Sequence, residues 1–189
     1  STPLPLKTKG RYLGAVISYH SFEAQTWAHR KKAGWAAFNR VRAWLRSRQL
    51  PIAKRLYLWQ TCVHTVLTYG LLSTHVTLPV IHEYQVTVYQ MIRMILGDHP
   101  YATQHTHQQV FQLYSIAPPL DLLSNLAMGL LRRLHRQDQL LQPDDFLRRL
   151  DWSHLHDVLA LIQCIRQTAP EVPIALDPAA PVQTKAQQD

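Results

Sequence analysis

The first sixty residues contain a single carboxylate, Glu23, against twelve lysines and arginines. That stretch carries +11, while residues 61–189 carry −3, so the chain's net +8 is one-sided. Positive charge concentrated in this way is the footprint of a polyanion partner, nucleic acid before membrane, although charge alone also fits a solvated cationic helix surface. Cysteine is scarcer still. Cys62 and Cys164 lie far apart, which excludes a disulfide framework and suits two small buried thiols in a reducing compartment. A bond between the two is left open. Only four glycines lie beyond residue 20, which argues against a turn-rich β fold. No apolar run is long enough to span a bilayer and no signal peptide is visible, so the expectation is an intracellular protein, nuclear or cytoplasmic, with no membrane partner. Because it begins at Ser1 and not Met, the chain is expected to be a piece of a longer one.

What is present is helical periodicity. With 47% hydrophobic and 17% charged residues the chain can build a core. The β signal is confined to Arg11–Ser18, a strand that could pair with Leu4–Lys7, with Gly14 marking a bulge or a close backbone approach. From Ser21, a candidate N-cap, the spacing predicts a helix to about Arg48. Trp27, Gly34, Phe38, Val41 and Leu45 fall on its core stripe. Lys32, Arg40 and Arg46 point away from that stripe; Arg30, Lys31, Arg42 and Arg48 flank it. Trp35 and Trp44 stand at its shoulders, free to pack or to stack on a partner, whereas Trp27 and Trp59 read as core.

Leu50-Pro51 breaks the helix, and Pro51 fits the first turn of a second one reaching about Tyr69. Its apolar face is Leu56, Trp59, Val63, Val66 and Tyr69 or Gly70, and the short connection predicts an antiparallel hairpin. A third helix runs from Thr77-Leu78-Pro79 to Leu96, with Ile81, Tyr84, Val88, Met91, Ile92 and Ile95 inward and Gly97 as C-cap. A short helix near Gln108–Tyr114 follows. Asp121 then caps a helix with Leu123, Leu126, Leu130 and Leu134 on one face and Arg132 and Arg136 opposite. Leu155, Val158, Leu159, Ile162 and Ile165 mark the last helix, and a proline-containing tail from Thr168 is expected to be disordered.

Catalytic constellations are not evident. Asp144-Asp145 after Pro143 reads as a helix start stabilised by the dipole and not as a metal pair. His99, His105 and His107, and His154 with His156, lack the paired ligands at fixed spacing that zinc needs, so surface or capping histidines are expected and no metal residue is assigned. His82-Glu83 lacks a second histidine at position 86. Nucleophile elbows and phosphate-binding glycine loops do not occur.

Several blocks in this order resemble one family. Arg11-Tyr12-Leu13-Gly14 resembles the Lys-Tyr-Leu-Gly block that closes the palm of non-LTR (LINE-type) retrotransposon reverse transcriptases. His29-Arg30-Lys31-Lys32-Ala33 through Ala36-Ala37-Phe38, then Lys54-Arg55-Leu56 to Leu67-Thr68-Tyr69-Gly70, are similar to the family's next two helices. Gln90-Met91-Ile92-Arg93-Met94-Ile95-Leu96-Gly97 and Leu130-Leu131-Arg132-Arg133-Leu134 resemble later segments. The likeness covers about residues 9–136.

The resemblance implies a mainly α fold: a thumb-like helical bundle with a short N-terminal strand or hairpin and a disordered C-terminal tail. Residues 1–20 would end the palm, 21–100 form the thumb, 101–167 a post-thumb helical region and 168–189 the tail. It implies a fragment of an RNA-directed DNA polymerase whose thumb holds the template–primer duplex. Arg30, Lys31, Lys32, Arg40, Arg42, Arg46 and Arg48 would contact phosphates, with Tyr12 and Gly14 near the primer end. The aromatic-x-Asp-Asp turn, the fingers and a downstream zinc knuckle are missing from this sequence, so no catalytic residue is assigned and the magnesium of the parent polymerase has no ligands here. The competing expectations are a helical protein-interaction domain with a basic face and a non-functional retroelement remnant.

Overall fold

The computed structural model describes residues 9–12, 15–18, 22–73, 76–97, 106–140 and 153–168, and over these the chain is mainly helical. Strands β1 (Lys9–Tyr12) and β2 (Ala15–Ser18) pair antiparallel, Lys9 opposite Ser18 and Tyr12 opposite Ala15, which corrects the single strand expected over Arg11–Ser18: its two ends belong to two strands that pair with each other. The expected strand partner Leu4–Lys7, the cap at Ser21, the Asp144-Asp145 pair and the tail after Thr168 lie outside the described residues.

Helix α1 (Phe22–Leu45) buries Trp27, Gly34, Phe38 and Leu45, the stripe expected from spacing, and Val41 packs half-buried against them. It stops at Leu45, three residues short of Arg48. Pro51 enters the next helix as its N-cap in extended backbone. Helix α2 (Ile52–Trp59) widens into a π-helical turn at Gln60–His64 and resumes as α3 (Thr65–Thr68). A π turn spends an extra residue per revolution and rotates everything after it. This corrects the expected face. Leu56, Trp59 and Val63 follow the predicted spacing, but beyond the turn Leu67 and Thr68 are buried, Val66 is half-buried and Tyr69 is 56% exposed. Threonine hydroxyls take up the carbonyls around the wide turn: Thr61 Oγ1 donates to Tyr57 O at 3.0 Å, Thr65 Oγ1 to Thr61 O at 2.6 Å and Thr68 Oγ1 to His64 O at 2.8 Å. Hydroxyls bonded back to carbonyls in this way accompany bent helical winding.

The hairpin closes tightly at Gly34, where a Cβ would meet Leu67 Cδ1 at 2.8 Å and Leu67 Cβ at 3.3 Å. Leu67 is fully buried and has little room to yield. Alanine gains about 1 kcal/mol of helix propensity, yet overpacking costs about 1–3 kcal/mol. Gly34→Ala is therefore expected to destabilise by about 1 kcal/mol, and Gly34→Val by more, measured by urea denaturation; a stabilised Gly34→Ala would show that α1 and α3 are not in tight contact.

Helix α4 (Leu78–Leu96) fully buries Ile81, Tyr84, Val88, Met91, Ile92 and Ile95. Gly97 ends it in the left-handed region at φ 73°, a conformation that costs glycine nothing. Arg55, buried on α2, donates from Nη1 to the Ile95 carbonyl at 2.7 Å and so satisfies one of the carbonyls that the helix end leaves without a partner. Helix α5 (His107–Leu113) starts with a reciprocal cap, Gln109 N–H donating to Thr106 Oγ1 and Thr106 N–H to Gln109 Oε1. It ends in a Schellman turn: Ile116 N–H donates to Phe111 O, Ser115 N–H to Gln112 O, and Ser115 takes φ 50°.

Helices α6 (Pro119–Leu140) and α7 (Ser153–Thr168) add Leu123, Ala127, Leu155, Val158 and Ile162 to the same core as Phe38 and Tyr84. His154 Nε2 lies 3.0 Å from the Leu72 carbonyl, and Arg166 pairs with Asp121. Asp121 thus sits inside the first turn of α6 as an ion-pair partner, not as the cap expected, because the helix already begins at Pro119. Cys62 and Cys164 are exposed free thiols, which corrects the expectation that both are buried: each lies on the solvent side of its helix.

Candidate nucleic-acid interface

From Ala24 through His82 the sequence holds no carboxylate, and α1 to α3 lie wholly inside that stretch apart from the first turn of α1. The cations there divide into two groups. Lys32, Arg40, Arg42, Arg46 and Arg48 are exposed. Lys32 to Arg46 spans about 21 Å along the helix direction at 1.5 Å per residue. Arg42 and Arg46 are neighbours one turn apart, a like-charge pairing that disfavours an isolated helix by a few tenths of a kcal/mol. Among the described residues, no carboxylate pairs with any of these five. Lys54, exposed in the first turn of α2, adds a sixth cation at the same end of the hairpin.

The remaining two of the seven expected phosphate contacts are placed differently. Arg30 is 7% exposed, with its guanidinium 4.8 Å from the centre of the Tyr69 ring. Burial lowers its pKa, and the facing Tyr69 opposes that. Arg30 is a structural cation–π partner and not a surface contact, because position 30 turns toward α3 and not to the flank. Lys31 is half-exposed, its Nζ 3.1 Å from Glu83 Oε2. The same carboxylate accepts from Trp27 Nε1 at 3.0 Å. These two hydrogen bonds, Lys31 first, hold Glu83 below the usual carboxylate range. Lys31 ties α1 to α4 and has its charge paired within the fold.

No protein family, curated protein or solved structure matches the chain. The site therefore stands on its own geometry.

Of the tryptophans, Trp27 and Trp59 are 2% exposed core residues. Trp35 is half-buried and meets Phe38 edge-on at 5.5 Å, whereas Trp44 is 63% exposed, one turn from Arg40. Among the tryptophans of the described residues, Trp44 is the one exposed beside the cations, where it can stack on a partner. Tyr12 ends β1 opposite Ala15, and Gly14 lies outside the described residues. Among the described residues no group of three or more His, Cys, Asp or Glu is placed to hold a metal ion.

Two groups were missed by sequence reasoning. Tyr57, 69% exposed, stands off the apolar stripe of α2, and its only signal is that Leu56 and Trp59 occupy the inward positions. His64 is buried, 2.8 Å from the Tyr84 hydroxyl, and burial lowers its pKa to about 4. Its place in the apolar run Cys62-Val63-His64 was the available clue.

Proposed function

We propose that this chain is the thumb region of a non-LTR retrotransposon reverse transcriptase and that it holds a template–primer duplex by its phosphates. The observation that carries the reading is the exposed set Lys32, Arg40, Arg42, Arg46 and Arg48 on and just beyond one helix, with no carboxylate among the described residues pairing with them. The order of the palm-end block, the basic helix and the Tyr-Gly helix supports the family; the charge supports the partner. Cations spread over a helix bind backbone and shape, which a polymerase requires because it must accept every sequence. Lys31 and Arg30 are left out of the contact set. The catalytic carboxylates, the magnesium they hold, the palm and the fingers would belong to the rest of the parent polymerase, and its place would be intracellular.

Five phosphate contacts give log K a slope of about −3.5 to −4.5 against log salt, so raising salt from about 50 to 200 mM should weaken binding of a blunt RNA–DNA hybrid by about 130- to 500-fold. Arg40→Gln, Arg42→Gln and Arg46→Gln together should reduce that slope by about 2–3 and weaken all sequences alike. Fluorescence anisotropy on the full chain reads both. Binding indifferent to salt, or a loss confined to certain sequences, would refute the grip; tight capture of an acidic protein with no preference among polyanions would point to an interaction domain.

A further inference from the structure

A second surface lies beside the cationic end of the hairpin. Ile52, Ala53, Leu56, Tyr57 and Gln60 of α2 face Leu113, Tyr114 and Ser115 at the end of α5 across an open cleft of about 590 Å³, a size usual for small-molecule sites. Its far wall is the Schellman turn, held by two backbone hydrogen bonds with Ser115 in the left-handed region. A serine there is disfavoured relative to glycine, so the wall keeps its shape against a local preference. Tyr57 stands at the mouth with most of its ring in solvent, and Tyr114 is half-buried opposite. Gln60 and Ser115 supply an amide and a hydroxyl.

We propose that this cleft receives an unpaired nucleotide of the strand gripped by the cations of α1. The proposal rests on the nucleic-acid reading above and names a feature of the substrate: a single-stranded extension adjoining the duplex. Charge selects the occupant. Lys54 is one turn from Tyr57 on α2, Arg48 stands in the connection just before α2, and both are exposed in a stretch free of carboxylates. Exposed aromatic rings flanked by cations are the elements that hold single strands, the rings taking base planes and the cations the backbone. A protein partner fits less well. Tyr57 and Leu113 are the two large apolar side chains that the cleft exposes, which is little for a stable protein interface.

The test compares the full chain's affinity for a blunt RNA–DNA hybrid and for the same hybrid carrying a five-nucleotide extension with 2-aminopurine at its second position. The extension should tighten binding by about 5- to 150-fold, the range that one stacked base gives, and the 2-aminopurine emission should be quenched on binding. Tyr57→Ala should abolish both the gain and the quench while leaving blunt-hybrid affinity and the unfolding midpoint unchanged. Tyr57→Phe should keep both, since it is the ring that stacks. An extension without effect overturns the proposal, and so does a gain that survives Tyr57→Ala, which would place the extension on another surface. The grip itself stands if the blunt hybrid still binds with a steep salt slope; if neither substrate binds, both readings fall together.

Discussion

Replacing Tyr84 with alanine is expected to remove about 3–5 kcal/mol of folding stability, the cost of truncating a fully buried aromatic ring. Tyr84 is wholly excluded from solvent at the centre of α4, edge-on to Trp27 at 6.1 Å, and its hydroxyl meets His64 Nε2 at 2.8 Å. The substitution therefore opens a cavity between α1 and α4 and also strips the buried imidazole of its partner. Tyr84→Phe separates the two effects. It keeps the ring and removes the hydrogen bond, which should cost about 1–3 kcal/mol because a buried polar group is left unsatisfied. Burial pushes the phenol far above its ordinary range, so the hydroxyl stays protonated at any working pH. Urea unfolding of the full chain measures both. A loss under 1 kcal/mol for Tyr84→Ala would mean that α4 is not the centre of the bundle.

Acid should weaken the fold through the same pair. Burial depresses the His64 imidazole from 6.5 to about 4, so between these values the unfolded chain takes up a proton that the folded chain refuses. The stability contributed by this group is complete above about pH 6.5 and lost as pH falls through the folded value, on the order of 3 kcal/mol in all. Around the ring stand Tyr84 and Trp59, neither of which carries charge in this range. Glu83, with its lowered value, loses its own smaller and largely solvent-screened contribution below pH 4.5 and outside the same window. Denaturation free energies between pH 7 and 4.5 should fall for the native chain and fall less for His64→Phe. Equal slopes for the two chains would show that the imidazole is already hydrated in the folded state.

The helices were legible because their signals are local. Trp27, Gly34, Phe38 and Leu45 recur at helical spacing, Pro51 and Pro79 mark starts, and Gly97 occupies a left-handed end that few other residues accept. What could not be read was winding. Nothing in Gln60-Thr61-Cys62-Val63-His64 announces a π turn, and so the faces of Leu67 and Tyr69 were exchanged. Arg30 was misplaced for a related reason. Spacing set it on a flank, but whether a flank is covered depends on how closely α3 approaches, and that is fixed by Gly34 against Leu67. The ion pair of Lys31 with Glu83 joins positions 52 apart, beyond any local pattern. The cleft at Tyr57 likewise needs two helices brought together from distant parts of the sequence.

The contact between His154 and the Leu72 carbonyl spans 82 residues. On a chain emerging from the ribosome at about 5–20 residues per second, several seconds separate these two halves of one hydrogen bond. Leu155, Val158 and Ile162 arrive in the same late instalment. The earlier helices must therefore wait with part of their oily side uncovered. This is the interval in which a nascent polypeptide of this design would be most exposed to self-association and most in need of a chaperone.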